Sequence, residues 1–220
     1  MEPLTVDIWS DFVCGHCYVG QHRISTALAG LGASGSLRVR WRSFELDPRP
    51  ADQRPTGDLY DYLARFNGSR EAGRAAMQRI SVTAAAEGLE FHPDIARPGN
   101  TANAHRLVHL AAEYGLQRTL VDRLYRAYWV EGRPIADPDT LVALALEVGL
   151  PAERASDVLS GSEFAEDVAA DEQMAAAFGV GGVPTIVAGG RWRIAGTEPV
   201  AVLCGILEQI LADRAREGAR

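Results

Sequence analysis

Cys14 and Cys17 stand three apart in the segment Cys14-Gly15-His16-Cys17. In a reducing compartment this spacing points to thiol–disulfide chemistry or metal binding rather than to a structural bridge. The reactive form of such a pair is a thiolate, so the site must stabilise negative sulfur, and a helix N-terminus does so through its unpaired amides and its dipole. Position then assigns the roles. Cys14, at the solvent end of a helix, attacks or leaves, and Cys17, one turn in, resolves the mixed disulfide. His16 between them can carry positive charge or donate a hydrogen bond to the Cys14 sulfur, which would favour the thiolate and make the disulfide more oxidising. A tetrahedral zinc site needs two further ligands at comparable spacing, and the third cysteine, Cys204, stands alone on a helical stripe. Two inert buried thiols are the remaining reading.

The elements around the pair are legible from periodicity. Thr5 to Trp9 is β-rich and ends at the turn formers Ser10-Asp11. From Cys14 to Ala29 the apolar residues fall on helical spacing, and Gly30 and Gly32 mark the stop. The cysteines therefore lie at a strand-to-helix junction. Leu37 to Leu46 alternates Leu37, Val39 and Trp41 against Arg38, Arg40 and Arg42, and an arginine face argues for an edge strand. Pro48, Pro50 and Pro55 break the pattern, and every element between Gly57 and Gly179 reads as helix. Asp137-Pro138 offers a cap with proline at the first helical position, and Asn100-Thr101 offers another cap. Phe164 opens the last stripe of the block. Thr185–Val187 and Arg191–Ile194 then flank Ala188-Gly189-Gly190 as a hairpin, and a terminal helix follows Glu198-Pro199. A βαβ unit and a ββα unit can share one sheet, with the helical block between them.

Pro184 is tolerable at the first residue of a strand. A sharper reading is a cis Val183-Pro184 bond facing the cysteines, with the Val183 backbone offered as an edge to an extended substrate. Trp9 and Phe12 flank the junction, and core or rim is the better reading of both than substrate anchor. His105 and His109 share a helix face that could hold a metal, but a packed or solvated face is the stronger reading. Cys204 reads as buried apolar packing.

The chain has 220 residues, 47% hydrophobic and 23% charged, with a net charge of −7. That charge is opposite to what a phosphate-binding surface needs, so nucleic acid is not expected as a partner. All 22 basic residues are arginine, which excludes Schiff-base and lysine-base chemistry. The N-terminus lacks a basic region and a cleavage-like site, and the most apolar stretch, Leu141–Leu150, is too short to span a bilayer. A cytoplasmic protein without membrane partners is expected, with monomer and homodimer both open.

Four segments together resemble the DsbA-like branch of the thioredoxin fold, and most closely the FrnE-type oxidoreductases. They are residues 8–20 around the cysteines, Trp41-Arg-Ser-Phe-Glu-Leu-Asp-Pro48, Asn100-Thr-Ala-Asn-Ala-His-Arg-Leu107 and Gly179-Val-Gly-Gly-Val-Pro-Thr185. The resemblance implies an α/β, thioredoxin-like fold with a large all-helical insertion between its βαβ and ββα halves. Residues 1–50 and 180–220 would form the discontinuous thioredoxin-like domain, and 51–179 the insertion. It further implies a cis Pro184 packed beside Cys14 and Cys17, and disulfide exchange with protein or small-molecule thiols. Val183 and Pro184 would shape the substrate groove, with Trp9, Phe12 and His105 as further substrate-side candidates. No metal or organic cofactor is required.

Two departures stand out. Gly15-His16 replaces the Pro-Trp usual between the family's cysteines, and Gly196-Thr-Glu-Pro199 replaces Gly-Ala-Gln. The same branch includes glutathione-linked transferases of the kappa class and hydroxychromene-carboxylate isomerases, which carry serine where Cys14 stands. Cysteine here argues for disulfide chemistry, with glutathione open as the small-thiol partner. A non-catalytic peptide-binding or chaperone module is the alternative from a different class.

Overall fold

The computed structural model describes residues 2–31, 36–50, 53 and 57–218, so the expectations placed on Gly32 and Pro55 lie outside the described residues. In β1 (Leu4–Ser10) the period of two sends Leu4, Val6 and Ile8 to one face and Asp7 and Trp9 to the other. The chain enters α1 (Gly15–Gly30) and returns as β2 (Leu37–Ser43), parallel to β1, with Val6 opposite Val39 and Ile8 opposite Trp41. Later β3 (Thr185–Ala188) and β4 (Trp192–Ala195) add antiparallel on the other side, giving the order β2-β1-β3-β4. Gly189 and Gly190, at φ 59° and 67°, make the tight turn between them, a geometry glycine adopts without steric cost.

β2 is an edge strand, as its arginines predict, but two of them, Arg40 and Arg42, do not simply face water. Arg40 grips both oxygens of Asp7 at 2.8 and 2.9 Å, and Arg42 reaches Asp7 at 2.7 Å and Asp171 at 2.8 Å. The buried carboxylates give the guanidinium row a partner beneath a helix, which an alternation pattern alone cannot reveal.

Between β2 and β3 run α2 (Leu59–Asn67), α3 (Arg70–Ala86), a 3-10 turn at Pro93–Ile95, α4 (Ala102–Glu113), α5 (Gln117–Trp129), α6 (Pro138–Glu147), α7 (Ala152–Ser160) and α8 (Ala165–Ala177). Side chains set several of the starts. Asp58 and Asp61 form a capping box, Ser69 accepts from the Ala72 N–H, and Asp137 accepts from Thr140 ahead of Pro138. At α4 the bond comes from Asn100, whose Oδ1 accepts the Ala102 N–H at 2.8 Å, while the Thr101 side chain caps nothing. Phe164 is the cap of α8 in a left-handed conformation, φ 63°, rather than its first helical residue. The terminal helix is α9 (Val200–Gly218).

One sheet face, Leu4, Val6, Ile8, Ile186 and Ile194, packs with α1 and α9 through Ile24, Ala27, Leu203 and Leu207. The same apolar cluster continues into α4, α5 and α6 through Leu107, Leu124 and Leu144. On the other face Trp9 and Val187 pack against Ala175 of α8 and Val180. The helical segment thus shares its core with the sheet. Among the described residues no helix is long and apolar enough to cross a membrane.

Candidate active site

β1 ends at Ser10, and the turn Asp11–Val13 delivers Cys14 as the N-cap of α1, with φ −92° and ψ 112°. The Cys14 N–H donates to the Asp11 carbonyl at 3.2 Å. Two aromatic residues of α5 hold the same turn from behind: Trp129 Nε1–H donates to the Phe12 carbonyl at 3.0 Å, and the Tyr125 hydroxyl donates to the Asp11 carbonyl at 3.3 Å. The helical segment therefore fixes the loop that aims the cysteine. Cys14 Sγ accepts the Cys17 N–H at 3.3 Å, one of the amides a helix leaves unpaired in its first turn. A negative sulfur at this cap meets both a donor and the positive end of the helix dipole.

The two thiols, both reduced, differ in access. Cys14 is 9% exposed and Cys17 is 0%. Burial above all, and then the neighbouring Cys14 sulfur, push the Cys17 thiol well above its ordinary range. Across the cleft the Cys14 thiol donates to the Val183 carbonyl oxygen at 3.8 Å, and the Val183–Pro184 bond is cis, as the resemblance implies. Pro184 lies hard against α1. A Cβ on Gly20 would stand 2.6 Å from Pro184 Cγ and 2.8 Å from the Gly196 carbonyl oxygen, and the Gly196 N–H donates to the Pro184 carbonyl at 2.9 Å.

The His16 side chain reaches the surface, and among the described residues the hydrogen bond to Cys14 Sγ that its position allows is not made. Partial burial, then the positive charge of Arg79, lower its pKa below the ordinary imidazole value of 6.5, which favours the neutral ring.

Trp9, Phe12 and His105 are core residues rather than substrate contacts. Trp9 is fully buried and donates to the Asp171 carbonyl at 2.9 Å. Phe12 packs between His105 and Tyr125, with ring centroids 4.8 and 5.3 Å away. His105 is buried too, so all three support the junction from inside. His109 bonds Ser43 Oγ at 3.1 Å and lies 3.2 Å from Asp171 Oδ2, so it packs as the stronger reading has it. Among the described residues no group of three or more metal-ligating side chains comes together. Cys204 lies partly buried on α9, 3.8 Å from the Ala27 carbonyl.

Sequence reasoning missed Asp11 and a groove. Asp11, read only as a turn former, is fully buried. Its Oδ2 accepts the Leu46 N–H at 2.8 Å, and its Oδ1 lies 3.6 Å from His105 Nε2, neither of these last two atoms having a hydrogen-bond partner among the described residues. The groove, of about 280 Å³, runs from Cys14 between α2 and α3, with Tyr62, Phe66 and Met77 on its walls. Helical periodicity shows that those residues are apolar but not that they converge on the sulfur.

A four-stranded sheet flanked by helices, with a dithiol opening the helix after β1 and a cis-proline facing it, defines a thioredoxin-like fold. The chain belongs to the DsbA-like thioredoxin domain family, whose profile matches residues 5–208. A probable DsbA oxidoreductase of Streptomyces coelicolor is 37% identical, with a TM-score of 0.85 over 94% of this chain and 89% of that one. The cytosolic disulfide reductase DsbM of Pseudomonas aeruginosa is 25% identical, with a TM-score of 0.68 over 94% and 98%. The uncharacterized protein YwbO of Bacillus subtilis is 29% identical over 148 residues, 66% of either chain.

Proposed function

We propose that the protein is a dithiol–disulfide oxidoreductase working through Cys14 and Cys17. The observation that carries this reading is the 3.3 Å bond from the Cys17 N–H to Cys14 Sγ at a helix cap, with Cys17 buried one turn behind. In the reducing direction the Cys14 thiolate attacks a substrate disulfide, forming a mixed disulfide and releasing one substrate thiolate. Cys17 then loses its proton and attacks the Cys14 sulfur. The Cys14–Cys17 disulfide forms, and the second substrate thiolate leaves. In the oxidising direction the same bonds form and break in reverse. Val183 supplies a backbone carbonyl beside the reacting sulfur. The chemistry asks for no metal or organic cofactor, and its partners are protein or small-molecule thiols and disulfides.

Within the family we place it with the FrnE-type enzymes, on the four segments of sequence described above, and in the cytoplasm, where the name of the Pseudomonas reductase also puts that protein. Glutathione is the small thiol to consider, since that reductase has a structure with GSH. A donor and a dipole that stabilise the reduced form favour an oxidising poise and an oxidase or isomerase direction.

The test is the reduction potential of the Cys14–Cys17 pair, measured in glutathione redox buffers. The expected value is more oxidising than the roughly −270 mV of thioredoxin, and a more negative value defeats the oxidase direction. A glutathione-linked transferase or isomerase would instead turn over in a Cys17→Ser variant with saturable glutathione binding. A peptide-binding or chaperone module would keep full function with both cysteines replaced by serine.

A further inference from the structure

The groove that starts at Cys14 has a definite chemical character. Its walls are Leu46, Tyr62, Leu63, Phe66, Met77 and Ile80, and Cys14 itself is part of its lining. Among the described residues that line it there is no carboxylate and no guanidinium. Partial burial and the nearby Arg79 favour the neutral form of the His16 ring on its rim, and Arg79 itself is not part of the lining. Two large apolar side chains stay open to water there, Phe66 at 57% and Leu46 at 40%. An apolar group laid over Phe66 at the end of α2 would take that surface out of water, which is favourable.

Gly15 ties the groove to the active-site dipeptide. A Cβ at that position would meet Ile80 Cδ1 at 3.1 Å and Phe91 Cζ at 3.2 Å, so the bare glycine lets α3 approach the start of α1 closely enough for Ile80 to wall the groove beside the sulfur. Val183 and Pro184 do not line it. The reacting sulfur is therefore approached from two directions, with a backbone carbonyl on one side and an apolar channel on the other. At about 280 Å³ the groove falls just below the roughly 300–1,000 Å³ of pockets that take drug-sized ligands. That suits one side-chain-sized group.

Resting on the exchange reading above, we infer that this groove selects disulfides whose cysteine is flanked by an uncharged apolar side chain, which lies between α2 and α3 while Cys14 attacks. The occupant is the substrate itself, because the groove is continuous with the nucleophile. Glutathione, with two carboxylates and an ammonium, finds no counter-charge among the described lining residues and would react without using it.

The experiment uses the Cys17→Ser, Cys204→Ala protein, which leaves Cys14 as the sole thiol. Three blocked peptides, each a mixed disulfide with thionitrobenzoate, carry Leu, Ser or Asp beside their cysteine. Release of thionitrobenzoate gives the rate of adduct formation at Cys14, and mass mapping confirms the site. The Leu peptide is expected to react about tenfold faster than the Ser peptide, the scale on which apolar pockets discriminate. The Ser peptide, neutral like the Leu peptide, removes the effect of the protein's net charge. Ala76→Trp, which fills the groove, and Phe66→Ser, which opens its wall to water, are each expected to bring the Leu-to-Ser ratio to about one. Equal rates for the Leu and Ser peptides in the parent protein, or a ratio that survives Ala76→Trp, overturn the inference while leaving disulfide exchange standing. Failure of all three peptides to form an adduct at Cys14 defeats the exchange reading, and the inference falls with it.

Discussion

Gly20 on α1 and Pro184 before β3 lie so close that one extra carbon would not fit: a Cβ on Gly20 would stand 2.6 Å from the proline ring and 2.8 Å from the Gly196 carbonyl oxygen. A rigid ring and a backbone oxygen cannot swing aside as a long side chain can. Alanine in a helix interior is worth about 0.5–1 kcal/mol over glycine, whereas forcing a carbon into a filled space costs about 1–3 kcal/mol. Gly20→Ala is therefore expected to destabilise the protein by about 1–2 kcal/mol in urea titrations, despite the better helix former, and to slow exchange by displacing the Val183 carbonyl from Cys14. A variant at least as stable as the parent would mean that this contact is loose.

The difference in burial between the two cysteines predicts their reactivity. Iodoacetamide added to the reduced protein at pH 7 is expected to label Cys14 well before Cys17, as read by peptide mass mapping. The Cys17 thiol is held up mainly by burial, which persists when Cys14 is tied in a mixed disulfide. Below a raised pKa the thiolate fraction, and with it the rate of attack, rises about tenfold per pH unit. Single-turnover release of the second substrate thiol should therefore still be climbing between pH 8 and 10, beyond the ordinary thiol value of about 8.5. A plateau that begins near that value would show that the resolving thiol ionises as an ordinary cysteine does.

Asp171 fastens α8 to the sheet. Burial alone would raise its pKa, but the His109 contact, the Ser43 N–H and the Arg42 charge outweigh that and hold it below the usual carboxylate value. A depressed folded-state pKa contributes stability that is fully present above the unfolded value of about 3.9 and is lost as pH falls through the folded value. Asp171→Ala is expected to cost about 1–3 kcal/mol at pH 7, since it leaves the buried Ser43 N–H without its acceptor and removes one of the two carboxylates that hold Arg42. The gap from the parent should narrow at pH 3. A gap that is constant with pH would place the effect in packing rather than charge.

The strands, the junction cysteines and the hairpin glycines were legible because each depends on local period or turn chemistry. Cys14 could be placed at a helix start, and the edge position of β2 followed from its arginines. What those arginines touch could not be read, because Asp7 and Asp171 meet Arg42 across 35 and 129 residues of chain. Asp11 looked like a turn residue because it is one, and its burial depends on α4 and α5 closing over it. His16 could be read by type either as a cation or as a hydrogen-bond donor to Cys14, and only the packing around it shows that the neutral ring is favoured. The groove was hidden for a similar reason: Phe66 and Met77 are ordinary helical apolar residues until α2 and α3 turn toward the sulfur.

The central claim is a division of labour between two sulfurs, and trapping tests it most directly. Each single variant, Cys17→Ser and Cys14→Ser, is incubated with a peptide disulfide and analysed by non-reducing mass spectrometry. The account predicts a long-lived mixed disulfide on Cys14 in the Cys17→Ser protein and no adduct on Cys17 in the Cys14→Ser protein. Adducts of equal yield on both cysteines, or a stable adduct on Cys17 alone, would contradict it.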